Sequence, residues 1–297
     1  MHEELSQKLF SLESPFDNAS LESIQPISCG PNAKTWKLIL SNDQQIFAKT
    51  VSKSQSQRLK FEENGLKILK KFANESFITV PKSFGIIKLN NVDILLTPWF
   101  EFKSTNQRNL GRGLALLHKK SSEGSPKMFG WEDQGFIGEG IQDKGCDERW
   151  GECFVNFRLS PQLKLSAKWG LRIEEIDPFL EDKIIIVLNE HNPSPCLVHG
   201  DLWNGNAATL EDERGLLIDP AVWWADREVD IAMTTLFGGF SNEFYSSYNK
   251  EWKLPDSANN RIKIYNLYHL LNHANIFGGS YKDESIKIIK ELMIYLK

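Results

Sequence analysis

The 297-residue sequence lacks several features that mark large classes of proteins. Its four cysteines form no Cys-x-x-Cys pair, so neither a disulfide framework nor a zinc site is indicated. Its apolar runs are short, far below the ~20 residues that cross a membrane, and the N-terminus shows no secretion signal. The net charge of −4 offers no basic face to nucleic acid or anionic lipid. We therefore expect a cytoplasmic protein with no nucleic-acid or membrane partner.

The signals for secondary structure are unevenly distributed along the chain. Up to residue 98 they indicate short strands and one helix, with hairpins over 35–49 and 84–97 and apolar residues at helical spacing from Leu59 to Phe72. Beyond residue 106 helical spacing dominates, including helices predicted over 176–191 and, on either side of Gly278-Gly279, over 258–297. This order predicts an α+β protein with two lobes, and a cleft between lobes is a common ligand site.

The most specific signal is residues 199–206, His-Gly-Asp-Leu-Trp-Asn-Gly-Asn, followed by Asp219 after a short predicted strand. They match the kinase catalytic loop, His-Arg-Asp-Leu-x-x-x-Asn, at every fixed position except the arginine, which is Gly200 here. In that chemistry the aspartate accepts the proton of the attacking hydroxyl, while the asparagine and a second aspartate hold metal ions. We therefore predict Asp201 as the general base and Asn206 and Asp219 as Mg²⁺ ligands in phosphoryl transfer from ATP. The glycine favours a kinase of small molecules over a protein kinase.

Two residues of the first lobe suit the binding of the nucleotide. Lys49 ends the strand Phe47-Ala48-Lys49, as the phosphate-binding lysine of kinases ends its strand, and Glu62 on the following helix is its predicted partner. The phosphate loop is predicted at residues 28–33, where Gly30 is the single glycine, and a P-loop motif is absent from the sequence. Cys29 in this loop is either a small apolar filler or a redox-sensitive thiol, and both interpretations stay open.

Around the catalytic aspartate, further residues are predicted to shape the site. His199 is expected to hold the loop by packing and hydrogen bonding, and Gly205 to adopt a positive φ in its turn. Glu228 and Asp230 are candidates to hold the loop after Asp219 through hydrogen bonds, and Asp230 also suits the N-terminus of a helix, where an acidic cap is stabilising.

With these residues in place, the chain resembles the fructosamine/ketosamine 3-kinase family, a branch of the aminoglycoside-phosphotransferase-like kinases. The resemblance covers nearly the whole length and is most specific at 199–206, where Trp203 follows the leucine. It continues at Asp219-Pro220, at Glu228-Val229-Asp230 and at the Phe-Gly-Gly-Phe of 237–240. The resemblance implies a protein-kinase-like fold with a nucleotide-binding lobe over 1–98, a hinge over 99–106 and a catalytic and substrate-binding lobe over 107–297.

The resemblance also implies an activity and further site residues. Thr97, Pro98 and Trp99 would meet adenine, while Trp203 would contact the sugar; Trp223 either lines the same pocket or packs in the core. The implied reaction is phosphorylation of the 3-hydroxyl of ketosamines, including glycated lysine of proteins, as a step of deglycation repair. A kinase of aminoglycosides or choline and a non-catalytic pseudokinase are the alternatives, and the oligomeric state is not indicated.

Overall fold

A computed structural model gives the structure of residues 2–9, 16, 19–29, 33–103 and 106–296, with the backbone alone for residues 2, 3, 28 and 29. The part before residue 99 has one principal sheet of five antiparallel strands, which from one edge to the other are Leu21–Cys29, Ala33–Leu40, Gln45–Ser52, Val92–Pro98 and Gly85–Lys88. The two predicted hairpins and the helix between them are confirmed. The elements of this part are α1 (His2–Leu9), β1 (Leu21–Cys29), β2 (Ala33–Leu40), β3 (Gln45–Ser52), α2 (Ser56–Phe72), β4 (Ile78–Thr79), β5 (Gly85–Lys88) and β6 (Val92–Pro98).

The two faces of this sheet have different neighbours because side chains alternate along a strand. On β3, Ile46 and Ala48 point into an apolar cluster that includes Leu5 and Leu9 of α1. Val51, on the other face, packs with Leu59 of α2. Lys49 shares that second face by register, so the strand directs its ammonium towards α2 and the interior of the protein.

The part after residue 106 is mainly helical, with three small sheets. Its elements are α3 (Arg108–Glu123), β7 (Phe129–Trp131), β8 (Gly135–Ile137), β9 (Gly140–Gln142), β10 (Gly145–Asp147), α4 (Trp150–Phe154), α5 (Ser160–Ser166), α6 (Leu180–His191), β11 (Cys196–Val198), β12 (Ala207–Thr209), β13 (Gly215–Leu217), β14 (Trp223–Ala225), α7 (Glu228–Met233), α8 (Asn242–Glu251), α9 (Ala258–Phe277) and α10 (Ser280–Tyr295). A π-helical turn over Val155–Leu159 joins α4 to α5.

The predicted helix over 176–191 is shorter than expected, because α6 begins only at Leu180. Asp177 precedes Pro178, and the residue before a proline is disfavoured in the helical conformation. The Asp177 carboxylate instead accepts a hydrogen bond from the backbone N–H of Phe179 at 2.9 Å. The helix therefore starts after the proline rather than around it.

The two parts are joined by secondary structure as well as by the connecting segment. The short strand β4 pairs in parallel with β13 and so belongs to a sheet of the second part. Ile78 of β4 packs with Leu110 and Leu114 of α3 in the core between α2, α3 and the catalytic segment. No helix within the described ranges is long and apolar enough to span a membrane.

Candidate active site

Gly200 sits at the point where the chain leaves β11 and turns towards the cleft. Its φ is +82°, and a Cβ built on it would lie 2.0 Å from the carbonyl oxygen of Ala221. The backbone N–H of Ala221 in turn donates to the carbonyl oxygen of His199 at 2.8 Å. This close pairing of two loops excludes any side chain at position 200, which explains why the arginine of the protein-kinase pattern is missing here.

The side chain of Asp230 holds this turn through hydrogen bonds to its backbone. Its fully buried carboxylate accepts hydrogen bonds from the backbone N–H groups of His199 at 2.7 Å and Gly200 at 2.8 Å. The ring Nε2 of His118 lies 3.0 Å from the same carboxylate, and its Nδ1 lies 2.9 Å from the hydroxyl of Tyr248. Burial alone would raise the pKa of Asp230, but the hydrogen bond from His118 and these neighbouring donors lower it.

The predicted roles of Asp230 and Glu228 in holding the loop after Asp219 are therefore wrong. Asp230 lies in the first turn of α7, as predicted, but its carboxylate holds the turn before the catalytic aspartate instead of capping the helix. Glu228 lies outside the site altogether, since it forms a bidentate ion pair with Arg261 at 2.8 Å for both contacts. Motif spacing located both residues but did not show which loop each would reach.

His199 is buried within the loop that it begins. Its Nε2 donates to the carbonyl oxygen of Ile218 at 2.9 Å, and its Nδ1 accepts from the backbone N–H of Asp201 at 3.3 Å. Burial lowers the pKa of His199, which favours the neutral ring that this pair of bonds requires. These contacts tie the segment before Asp219 to the loop that presents Asp201, which suits the predicted positioning role.

Asp201 combines a buried carboxylate with an incomplete set of hydrogen bonds. The amide Nδ2 of Asn206 donates to its Oδ2 at 3.0 Å and to its backbone carbonyl oxygen at 2.8 Å. Its Oδ1 is buried and has no donor among the described residues. Burial, followed by the charge of Asp219, raises the pKa of Asp201 to about 7. A carboxyl group with this pKa is well matched to general-base catalysis near neutral pH.

Lys49, Glu62 and Asp219 form one cluster at the entrance to the cleft. The Lys49 ammonium lies 2.7 Å from Glu62 and 3.0 Å from Asp219. Burial raises the pKa of Glu62 to about 8, whereas the pKa of Asp219 is lowered by Lys49 although its burial alone would raise it. Lys49 keeps its charge, since both carboxylates raise its pKa against the effect of burial. The structure thus brings the predicted pair and the predicted metal ligand together.

Asp219 has a backbone conformation that is uncommon for a residue with a side chain. Its φ is +52°, in the left-handed region, two residues after the end of β13. Such angles cost about 1–3 kcal/mol and persist only where surrounding structure enforces them, often at functional sites. The turn leaves the carboxylate 38% exposed beside Lys49, so it is accessible to an additional cation.

The donor set at Asn206 and Asp219 fits a magnesium ion. Mg²⁺ prefers oxygen ligands and is usually held by one or two carboxylates together with water and phosphate oxygens. Asp219 offers a carboxylate. Because the Nδ2 of Asn206 is engaged with Asp201, the carboxamide oxygen is the atom that remains for a cation. Both residues line the same cavity.

This transfer cavity, as we call it, has a volume of about 240 Å³. Lys49, Glu62, Asp201, Asn206 and Asp219 form its polar side. A further part of its lining, which we call the acceptor wall, comes from Trp203, the hairpin of β8 and β9 and the end of α9, the last two through Phe136, Gly138, Asn272, His273, Ile276 and Phe277. The charged groups suited to phosphoryl transfer therefore share one cavity with several aromatic side chains and with the polar Asn272 and His273.

Trp203 lines this cavity and is held edge-on by Phe237, with ring centroids 6.0 Å apart. The same indole explains why residue 205 is a glycine. The positive φ predicted for Gly205 is wrong, since its φ is not positive in the structure. A Cβ at position 205 would lie 2.3 Å from the Trp203 ring. Glycine is needed there because the indole packs against its backbone, not because of an unusual turn.

A second cavity, of about 180 Å³, adjoins the first at Glu62 and Asp219. Thr97, Pro98 and Trp99 line it, as the sequence predicts, together with the apolar side chains of Phe47, Leu66, Leu95 and Leu216. An apolar slot of this kind suits the flat face of a purine. The predicted phosphate-loop residues, Gly30 and the side chain of Cys29, lie outside the described residues.

Trp223 does not line either cavity. It is fully buried, stacks on Trp150 with ring centroids 5.6 Å apart, and lies under the guanidinium of Arg158 at 4.2 Å. Its predicted contact with substrate is therefore wrong, and the core alternative is right. Successive side chains of a strand point to opposite faces, so Trp223 and its neighbour Trp224 have different surroundings. Trp224, on the other face of β14, packs against Phe72 of α2.

Some residues of the transfer cavity were not predicted from the sequence. Arg58 lies one helical turn before Glu62, and that spacing, which places both on one face of α2, was the only available signal. The side chains of Asn272, His273 and Phe277 come from the last turns of α9, far along the chain. Their periodicity indicated only a helix, because the partner that they face is not adjacent in sequence.

Comparison with known proteins agrees with this geometry. Residues 2–295 match the family model described as fructosamine kinase. The chain belongs to the fructosamine kinase family. It is 35% identical over 262 residues to a probable ketoamine kinase of Vibrio parahaemolyticus. This alignment covers 87% of this chain and 88% of that protein.

The same relationship is visible in solved structures. A candidate fructosamine-3-kinase from Haemophilus somnus aligns over 98% of this chain and 97% of its own, with a TM-score of 0.83 and 25% identity. An amicoumacin kinase, solved in complex with AMP-PNP, Ca²⁺ and Ami, aligns over 98% of this chain and 92% of its own, with a TM-score of 0.56 and 10% identity, which shows a common fold alone. The protein thus has the two-lobed, protein-kinase-like α+β fold, and its family is one of kinases.

Proposed function

We propose that this protein transfers the γ-phosphoryl group of ATP to the 3-hydroxyl of a ketosamine, a ketose joined to an amine. The observation that supports the proposal most strongly is Asp201, a buried carboxylate with an unpaired oxygen and a pKa raised to about 7. It shares one cavity with Lys49, Glu62, Asn206 and Asp219. This combination supplies a base, a phosphate-binding cation and metal ligands at a single place.

In the proposed reaction the acceptor hydroxyl donates a hydrogen bond to Asp201, and its oxygen attacks the γ-phosphorus. The oxygen–phosphorus bond forms, the bond to ADP breaks, and the hydroxyl proton passes to Asp201. Lys49, oriented by Glu62, binds the phosphates, while Asn206 and Asp219 would hold Mg²⁺, which neutralises charge on the triphosphate when bound. His199, Asp230 and Gly200 keep the base in place through the backbone of its loop.

The proposed roles of the two lobes follow their order along the chain. Residues 1–98 bind the nucleotide, with adenine in the slot beside Thr97, Pro98 and Trp99, and residues 99–106 connect the lobes. Residues 107–297 supply the catalytic loop and the acceptor wall. The amicoumacin kinase that shares the fold was solved with AMP-PNP and Ca²⁺, which supports a nucleotide and a divalent cation here.

The charges of the transfer cavity favour a ketosamine over an aminoglycoside. Among the described residues, the carboxylates that line it are Glu62, Asp201 and Asp219, and the proposed reaction needs all three for the nucleotide, the metal or the base. A polycationic aminoglycoside would need further carboxylates on the acceptor wall, since buried charges require partners. That wall instead offers Trp203 and other aromatic groups, which suit the C–H face of a sugar.

The physiological role that we propose is deglycation, because a ketosamine phosphorylated at the 3-hydroxyl is unstable and releases its amine. The relatives named as ketoamine kinases support the acceptor class. The amine is either free or part of a protein.

The test is a panel of acceptors assayed for ADP formation: ribulosamines, fructosamines, choline and an aminoglycoside, each with ATP and Mg²⁺. We expect turnover of ketosamines alone, with the phosphate located on the 3-hydroxyl by NMR, and none with Asp201→Asn. Turnover of choline or the aminoglycoside in preference to every ketosamine would overturn the proposed acceptor. ADP formation that is equal with and without acceptors would overturn the reaction.

A further inference from the structure

Arg58 is a charged residue of the transfer cavity that the proposed reaction leaves without a role. It lies in the first turn of α2, on the same helix face as Glu62, and its side chain is half-buried. Its Nη2 donates to the carbonyl oxygen of Gly138, in the turn between β8 and β9, at 2.8 Å. Its Nη1 is buried and has no acceptor among the described residues.

The surroundings of Arg58 make this incomplete bonding significant. Within the described ranges no carboxylate forms an ion pair with it, whereas five other arginines have one. Taking a charged group out of water is costly unless it is paired. The nearby acids of the cavity are engaged elsewhere, since Lys49 binds both Glu62 and Asp219, and Asn206 binds Asp201. A guanidinium is a rigid fork of donors that matches a carboxylate or phosphate.

The position of Arg58 relates it to the acceptor rather than to adenine. It lines the transfer cavity together with Asp201 and Trp203 but does not line the slot beside Thr97. Through Gly138 it is fixed to the same hairpin that contributes Phe136 to the acceptor wall. If the molecule that accepts the phosphoryl group carries an oxyanion some bonds away from the reacting hydroxyl, that oxyanion would therefore contact Arg58.

We propose that Arg58 binds the carboxylate of the acceptor, so that the preferred substrates are ketosamines of free α-amino acids. This inference rests on the proposed function and narrows its substrate class. In such adducts the carboxylate is attached close to the sugar, next to the linking nitrogen. In a glycated lysine within a protein chain, the linking nitrogen is the side-chain Nε, and no carboxylate is attached next to it.

The experiment compares two acceptors that differ only in this charge: fructosyl-glycine and its carboxamide, fructosyl-glycinamide. For the wild-type protein we expect kcat/KM to be about 10- to 100-fold higher for the carboxylate, the usual contribution of hydrogen bonds between charged partners. Arg58→Gln, which keeps a donor for Gly138, should remove this preference by lowering kcat/KM for fructosyl-glycine alone. Arg58→Lys should restore part of it.

Two controls separate binding of the acceptor from other effects. Arg172→Gln removes an arginine whose side chain is 71% exposed and remote from the cavity, and it should leave the preference unchanged. The KM for ATP and the thermal unfolding temperature of Arg58→Gln should match those of the wild type.

The outcomes distinguish this inference from the proposed function. If the wild type turns over both acceptors equally, or Arg58→Gln lowers both by the same factor, the carboxylate assignment is wrong while the kinase activity stands. A raised KM for ATP would assign Arg58 to the γ-phosphate instead. If the wild type phosphorylates no ketosamine at all, the proposed function itself fails.

Discussion

Asp201 should destabilise the folded protein in the pH range in which it is catalytically useful. Its pKa is raised from the ordinary 3.8 to about 7, chiefly by burial and then by the charge of Asp219. A carboxyl group whose pKa is higher in the folded than in the unfolded state favours folding at low pH. That contribution is lost as the pH rises from 3.8 towards 7. Replacement by the neutral amide of Asn removes this dependence.

The size of the effect follows from the two pKa values. Each pKa unit corresponds to about 1.4 kcal/mol, so the full cost of ionising Asp201 above pH 7 is about 4 kcal/mol. About 1.2 of the 3.2 units are already lost at pH 5. Between pH 5 and pH 8 the unfolding free energy of Asp201→Asn should therefore rise by about 2–3 kcal/mol relative to the wild type.

Urea denaturation of both proteins at pH 5, 6, 7 and 8, without ligands, measures this difference. Comparing the two proteins at each pH largely cancels the titration of all other groups. Asp256→Asn, which removes a carboxylate whose side chain is 93% exposed, controls for the general effect of losing one negative charge. A difference between Asp201→Asn and wild type that stays constant across this range would refute the raised pKa, and with it the physical basis for Asp201 as a base near neutral pH.

Four further predictions concern the catalytic loop and the residues around it. The kcat/KM of the wild type should rise about tenfold per pH unit and level off near pH 7, as Asp201 loses its proton; a flat profile from pH 5 would contradict this. Gly200→Ala should lower kcat at least about 10²-fold, because its Cβ would lie 2.0 Å from the Ala221 oxygen and displace the base; wild-type kcat would refute the steric argument. Trp203→Ala should raise the KM of the acceptor about tenfold while leaving that of ATP unchanged. Trp223→Ala should instead lower the unfolding free energy by about 3–5 kcal/mol, measured in urea.

The sequence was most informative where chemistry depends on local spacing. The catalytic loop and the residues Lys49 and Glu62 were predicted from residue types at fixed intervals, and the structure brings these groups into one cavity. Strands and helices with clear periodicity were also predicted well, because each needs one apolar face. The start of α6 was missed, since the effect of a proline on the residue before it outweighed a continuous apolar pattern.

Roles that depend on contacts across the fold could not be predicted in the same way. Asp230 reaches back about 30 residues to His199 and Gly200, and nothing in the motif around it indicates that distance. Trp203 and Trp223 look alike in sequence, yet one lines the cavity and the other lies in the core. Arg58 is held in the cavity by a hydrogen bond to Gly138, which lies 80 residues further along the chain, so its position could not be predicted from the residues around it.

The most direct test of the central claim is kcat for phosphoryl transfer from ATP to a ketosamine, in the wild type and in Asp201→Asn, at pH 8 with saturating Mg²⁺. We expect the substitution to lower kcat at least about 10²-fold, the usual contribution of a general base. Nucleotide binding should be retained, because Lys49 and Glu62 are intact. Equal kcat values would contradict the assignment of Asp201 as the group that accepts the proton of the sugar hydroxyl.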